Sequence, residues 1–75
     1  MVFPENAKWF VRLRIARAFR NMSQAAVAAS VGVSRRTYGR YEAGEITPTQ
    51  YARKKLAEVL EEPVETLFKG AKERK

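Results

Sequence analysis

The chain has no cysteine and no histidine. Disulfides are therefore excluded, the ligand sets of zinc fingers are missing, and the commonest general base of enzymes is absent. No apolar run approaches the roughly 20 residues of a membrane span. The opening segment MVFPENAKWF also lacks the charged-then-apolar pattern of a secretory signal. The expected location is the cytoplasm. Four glycines and three prolines in 75 residues leave no low-complexity tract or linker, and no internal repeat is visible. One domain is expected over residues 1–75.

Acid is also scarce: eight acidic groups stand against fifteen basic ones, for a formal net charge of +7. Residues 1–32 carry Lys8, Arg12, Arg14, Arg17 and Arg20 against Glu5. Residues 33–55 carry Arg35, Arg36, Arg40, Arg53, Lys54 and Lys55 against Glu42 and Glu45, whereas residues 56–75 are close to neutral. An excess placed on the first three-quarters of the chain points to a polyanionic partner.

Punctuation at Asn21, Gly32, Gly44, Pro48, Pro63 and Gly70 separates five helix-sized segments. They run from about Asn6 to Arg20, Ser23 to Val31, Ser34 to Ala43, Thr49 to Glu61 and Pro63 to Lys69. Ser23 and Ser34 suit helix N-caps, Asn21 and Gly44 suit left-handed helix ends, and Pro63 suits a first helical position. The tail over residues 70–75 has nothing to bury and is expected to fray. Almost no period-2 apolar pattern exists, so the fold class is all-α.

Helical spacing assigns the core. Phe10, Leu13 and Ala16 share one side of the first helix, flanked by Trp9 and Arg17. Val27, Ala28 and Val31 mark the inner side of the second, Tyr38 and Tyr41 that of the third. Ala52, Leu56, Val59 and Leu60 line the fourth, and Val64 and Leu67 close the fifth. On the third helix the two tyrosines point one way, and Arg35, Arg36, Gly39 and Arg40 project broadly opposite. Arginine donates to both O6 and N7 of guanine in the major groove, so this outward face suits the reading of DNA. Two short helices joined by a tight turn at Gly32 are the arrangement that presents such a face.

Residues 23–44, SQAAVAASVGVSRRTYGRYEAG, carry this pattern in full. Counting from Gln24, a small residue stands fifth (Ala28) and glycine ninth (Gly32). Apolar residues stand fourth, eighth, tenth, fifteenth and eighteenth (Val27, Val31, Val33, Tyr38, Tyr41). Around them stand Ser23-Gln24, Glu42 and Gly44, Pro48, Leu56-Ala57 with Leu60, and Val64 with Leu67-Phe68. Over about residues 6–69 the chain resembles the lambda-repressor-like helix-turn-helix family, the DNA-binding domains of phage repressors, Cro proteins and their bacterial relatives. The resemblance implies a compact five-helix domain. It implies a phosphate contact by Gln24, base or phosphate contacts by Ser34, Arg35, Arg36 and Arg40, and backbone contacts by Thr37 and Thr47. It also implies a partly buried ion pair of Arg17 with Glu42. Gly39 departs from the pattern. It costs about 1 kcal/mol relative to alanine inside a helix, and either admits close approach of DNA or is merely tolerated.

The expected function is that of a transcriptional regulator, a dimeric repressor of phage, plasmid or mobile-element type reading an inverted-repeat operator. The alternative is an antitoxin-like protein-interaction partner that also binds DNA. Enzymatic activity is not expected, since the carboxylates are scattered and His and Cys are absent. No cofactor, metal or small-molecule effector is implied. With no separate oligomerisation domain in view, a homodimer interface is expected on the fourth and fifth helices near Leu60, Val64, Leu67 and Phe68. Val11, Ile15 and Phe19 form a further apolar stripe on the first helix, either a partner surface or a face covered by the C-terminal segment.

Overall fold

A computed structural model of the chain describes residues 1–72. Among them are five α-helices and no strand: α1 (Trp9–Phe19), α2 (Gln24–Val31), α3 (Arg35–Glu42), α4 (Gln50–Leu60) and α5 (Val64–Leu67). None of these helices is long and apolar enough to cross a membrane.

Side-chain caps set three of the five starts. Ser23 accepts from the Ala26 N–H, Ser34 from the Thr37 N–H and Thr49 from the Ala52 N–H, each at 3.0–3.1 Å. The first helix begins at Trp9 rather than near Asn6, because Ala7 N–H donates to the Pro4 carbonyl and closes a turn there. Pro63 sits at the N-cap of α5, with φ −63° and ψ 140°, not at its first helical position. Asn21, Gly32 and Gly44 take left-handed φ of 56°, 84° and 73°. Glu61 does the same at the end of α4, with φ 57°, and no glycine in the sequence marks that stop.

The core is drawn from every helix. Leu13, Ala16, Val27, Tyr38, Leu56, Leu60 and Leu67 are fully shielded, with Ala28, Tyr41, Ala57 and Phe68 nearly so. Alanines at 16 and 28 keep helix axes close, and α2 packs against both α3 and α4 while α1 packs against α3 and α5. This holds α3 by its tyrosine side and leaves its arginine side outward.

The burial pattern corrects the expected dimer surface. Leu60 and Leu67 have no exposed area, and Phe68 is 5 % exposed. The Phe68 ring lies 6.0 Å from Trp9 and 5.6 Å from the Arg53 guanidinium, so all three side chains serve the protomer's own core. Val64 alone of that set is partly open. In the stripe on α1, Val11 and Ile15 are half-buried, whereas Phe19 is exposed.

Two arginines of the basic excess, Arg12 and Arg53, point inward. Arg12 donates to the carbonyls of Ala7, Thr66, Pro4 and Glu5. Arg53 donates to those of Pro48 and Lys72. Both are 4 % exposed, and each ties a non-helical segment to a helix. Within the tail, the Lys72 carbonyl accepts the Arg53 bond and Ala71 N–H donates to the Phe68 carbonyl. Residues 73–75 lie outside the described residues.

Candidate nucleic-acid interface

The turn between α2 and α3 is closed by backbone hydrogen bonds. With Gly32 in the left-handed region, its N–H and that of Val33 both reach the Ala28 carbonyl, at 2.9 and 3.0 Å. Satisfying that last turn of α2 through glycine lets the N-cap of α3, Ser34, follow two residues later at a fixed angle. Ser34 is the pivot. Its Oγ accepts the Thr37 N–H and donates to the Thr37 hydroxyl, each at 3.0 Å, so Ser34 and Thr37 are already engaged with each other.

Beneath this turn lies a four-residue polar network. The Glu42 carboxylate accepts from Arg17 Nε at 2.6 Å and Nη2 at 3.1 Å, from the Tyr38 hydroxyl at 2.6 Å and from Gln24 Nε2 at 3.0 Å. Arg17 spends its remaining reach on the Met22 carbonyl at 3.0 Å. Burial alone would raise the Glu42 carboxyl, but the bonds from Arg17, Tyr38 and Gln24 outweigh it and hold the group below its ordinary range. The Glu42 bond raises Arg17 against desolvation. Burial, then the bond to Glu42, pushes the Tyr38 phenol well above its ordinary value. All three groups therefore stay in their bonded forms across neutral pH.

The network reaches the surface through Gln24. This residue opens α2, where the first N–H groups have no acceptor inside the helix. Its amide is oriented from below by Glu42, and Glu42 is in turn held by α1 and α3. The participation of Tyr38 and Gln24 was missed in the sequence. Tyr38 and Glu42 stand four apart on one helix, a spacing that brings side chains together, and that was the available signal.

On the outer side of α3, Arg35 and Arg36 are exposed and have no acidic partner among the described residues. Arg40 Nε lies 3.9 Å from Glu45, an open pair with side chains 45 % and 64 % exposed. Such a pair competes weakly with an incoming anion. Thr47 is half-buried in the loop that follows α3. In that loop Gly44 packs so closely on Phe10 that a Cβ there would fall 2.8 Å from the ring. The described residues hold no group of three side chains able to bind a metal ion.

The helix-turn-helix family model matches residues 13–67 of this chain, most of its length. The chain belongs to the lambda-repressor-like helix-turn-helix family. Among solved structures, the P22 c2 repressor in complex with the synthetic operator 9T is 28 % identical with a TM-score of 0.82, covering 87 % of this chain and 98 % of that one. The solution structure of the DNA-binding domain of the P22 c2 repressor is 27 % identical with a TM-score of 0.80, covering 89 % and 88 %. The restriction-modification controller protein C.AhdI from Aeromonas hydrophila is 30 % identical with a TM-score of 0.75, covering 80 % and 91 %. No curated protein sequence matches. Within this family frame α3 carries three arginines, Arg35, Arg36 and Arg40, and one glycine, Gly39.

Proposed function

We propose that this chain, whose family and fold are those of DNA-binding transcriptional regulators, reads double-stranded DNA with α3 in the major groove. The observation that carries this is the division of α3. Tyr38, Tyr41 and Glu42 are buried, while Arg35, Arg36 and Arg40 face outward with at most one loose acidic partner. A helix anchored by one side and cationic on the other can be pressed into a groove lined by acceptors.

In this reading Arg35, Arg36 and Arg40 donate to base edges or adjacent phosphates. Gln24 and the free N–H groups at the start of α2 hold a phosphate of the same strand. Ser34, Thr37 and Thr47 contact the backbone more weakly, the first two through hydroxyls that must share their existing bonds. The protein acts as a homodimer on an inverted-repeat operator and represses transcription, as a cytoplasmic regulator of phage, plasmid or mobile-element type. The edge where α4 meets α5, with Val64 partly open, is the dimer surface that remains once Leu60, Leu67 and Phe68 are assigned to the core. The reading gives it no catalytic activity and needs no cofactor.

Variants separate reading from mere attraction. Arg36→Ala and Arg40→Ala should each cost about 1–3 kcal/mol on a preferred duplex and much less on random DNA, whereas Gln24→Ala should weaken both alike. Equal losses on preferred and random duplexes in the arginine variants would show that these side chains do not read bases.

A further inference from the structure

We propose that the outer edge of α1, built on Val11, Ile15 and Phe19, docks an acidic amphipathic helix of a partner protein. The inference concerns α1 and does not depend on what α3 reads.

Apolar side chains recur every four residues here, so Val11, Ile15 and Phe19 run along one edge of α1 for about 12 Å. The side of α1 that faces the core is a different one, made of Trp9, Leu13 and Ala16. Val11 and Ile15 are half-buried at its margin, and Phe19 is 63 % exposed. Residues 70–72 do not cover the ring: the Lys72 carbonyl accepts from Arg53, and Ala71 N–H donates to Phe68. Phe19 is braced all the same. The Arg20 guanidinium lies 5.7 Å from the ring centroid, and it is itself tied to Glu61 at 3.1 Å and to the Leu60 carbonyl at 3.4 Å. An exposed aromatic ring standing against a fixed neighbour loses little freedom when covered, which is what an interface anchor requires.

Charge gives the partner. From Lys8 to Met22 the chain holds five basic residues and no acidic one. Arg12 and Arg17 are engaged inside the fold, and Arg20 is engaged with Glu61. Lys8 and Arg14 are exposed, with no acidic partner among the described residues. Arg14 stands three residues from Val11 and four from Ala18, so its charge flanks the stripe. A second copy laid edge to edge would set these cations against their own kind, which disfavours that pairing. A lipid surface needs a broader apolar face than one open ring and two half-buried side chains. A helix with apolar residues at the same spacing and carboxylates beside them meets both requirements, covering the ring and neutralising the cations.

The test uses the full chain and two synthetic helical peptides that share one apolar face of leucines, flanked by glutamates in the first and by lysines in the second. The glutamate peptide, followed by fluorescence anisotropy, should bind the wild-type chain with an affinity that falls as salt rises, and the lysine peptide should not bind. Phe19→Ser and Arg14→Glu should each weaken that binding at least about tenfold. Both positions are exposed, so the midpoint of thermal unfolding should stay within about 4 °C of wild type. Arg35→Ala with Arg36→Ala should bind the peptide as wild type does. A glutamate peptide that does not bind, or one that is lost with Arg35 and Arg36 but not with Phe19, would overturn the proposal. So would a Phe19→Ser chain that loses self-association, which would assign the edge to a second copy. Binding to phosphatidylglycerol vesicles that disappears in Phe19→Ser, with the peptide ignored by wild type, would overturn it in favour of a membrane.

Discussion

Replacing Glu42 by leucine should do more damage than any other single change at the interface, and the structure says why. The carboxylate takes four hydrogen bonds, two from Arg17 and one each from Tyr38 and Gln24. Its loss leaves the Arg17 guanidinium with only the Met22 carbonyl and leaves a fully buried phenol without an acceptor. Breaking a buried pair by removing one partner costs about 3–5 kcal/mol. The Arg17 side chain retains 18 % exposure, which favours the lower end, about 3 kcal/mol. At 0.05–0.15 kcal/mol per residue a chain of this size has roughly 4–11 kcal/mol in all, so the midpoint of thermal unfolding should fall by about 12–24 °C. Arg17→Met with Glu42→Leu should recover part of the loss, and adding Tyr38→Phe, which removes the orphaned hydroxyl, should recover most of the remainder. Urea unfolding followed by the fluorescence of buried Trp9 supplies the free energies. A double-mutant cycle with a coupling below about 0.5 kcal/mol between Arg17 and Glu42 would show that the two side chains do not support each other. At temperatures where Glu42→Leu remains folded it should still bind DNA less well, because Gln24 has lost the group that aims it.

The same network sets a pH window. Glu42 is held below its ordinary range, so its contribution is complete above about pH 4.5 and drains away as pH falls through the lower folded value. Tyr38 is raised, so its contribution is complete below about pH 10 and declines as pH rises beyond that. Unfolding midpoints should be flat between these limits, and Glu42→Gln should flatten the acid limb; an unchanged acid limb in that variant would place the loss elsewhere. Phe68→Ala should cost about 3–5 kcal/mol of stability in the protomer, as a buried ring does. A variant with wild-type unfolding free energy but altered self-association would return Phe68 to an interface role.

Where the backbone signals its own ends with serine, threonine or glycine, sequence and structure agree closely. Ser23, Gly32 and Ser34 frame α2, its turn and the start of α3, and these residues position the outward arginines. The stop at Glu61 carries no such mark, since a glutamate in the left-handed region looks like any surface glutamate. Inward arginines are equally hidden: Arg12 reaches the Thr66 carbonyl, 54 residues away, and no local spacing encodes that contact. The stripe of Leu60, Val64, Leu67 and Phe68 shows a different limit. Helical periodicity says that these side chains avoid water, but not whether their cover comes from the same chain or a second one. The fold decided it when Trp9 and Arg53 closed over Phe68.

Whether α3 reads base sequence in duplex DNA is decided by incubating the chain with a random pool of duplexes, recovering those that stay bound through rising salt, and sequencing them. One α3 spans too few base pairs to define a site alone, so a homodimer should enrich an inverted repeat. Its half-site centres should lie about 10 bp apart, one helical turn, so that both reading helices enter the same face of the duplex. A recovered pool with no shared sequence, held only by charge and released uniformly by salt, would show that α3 does not read bases.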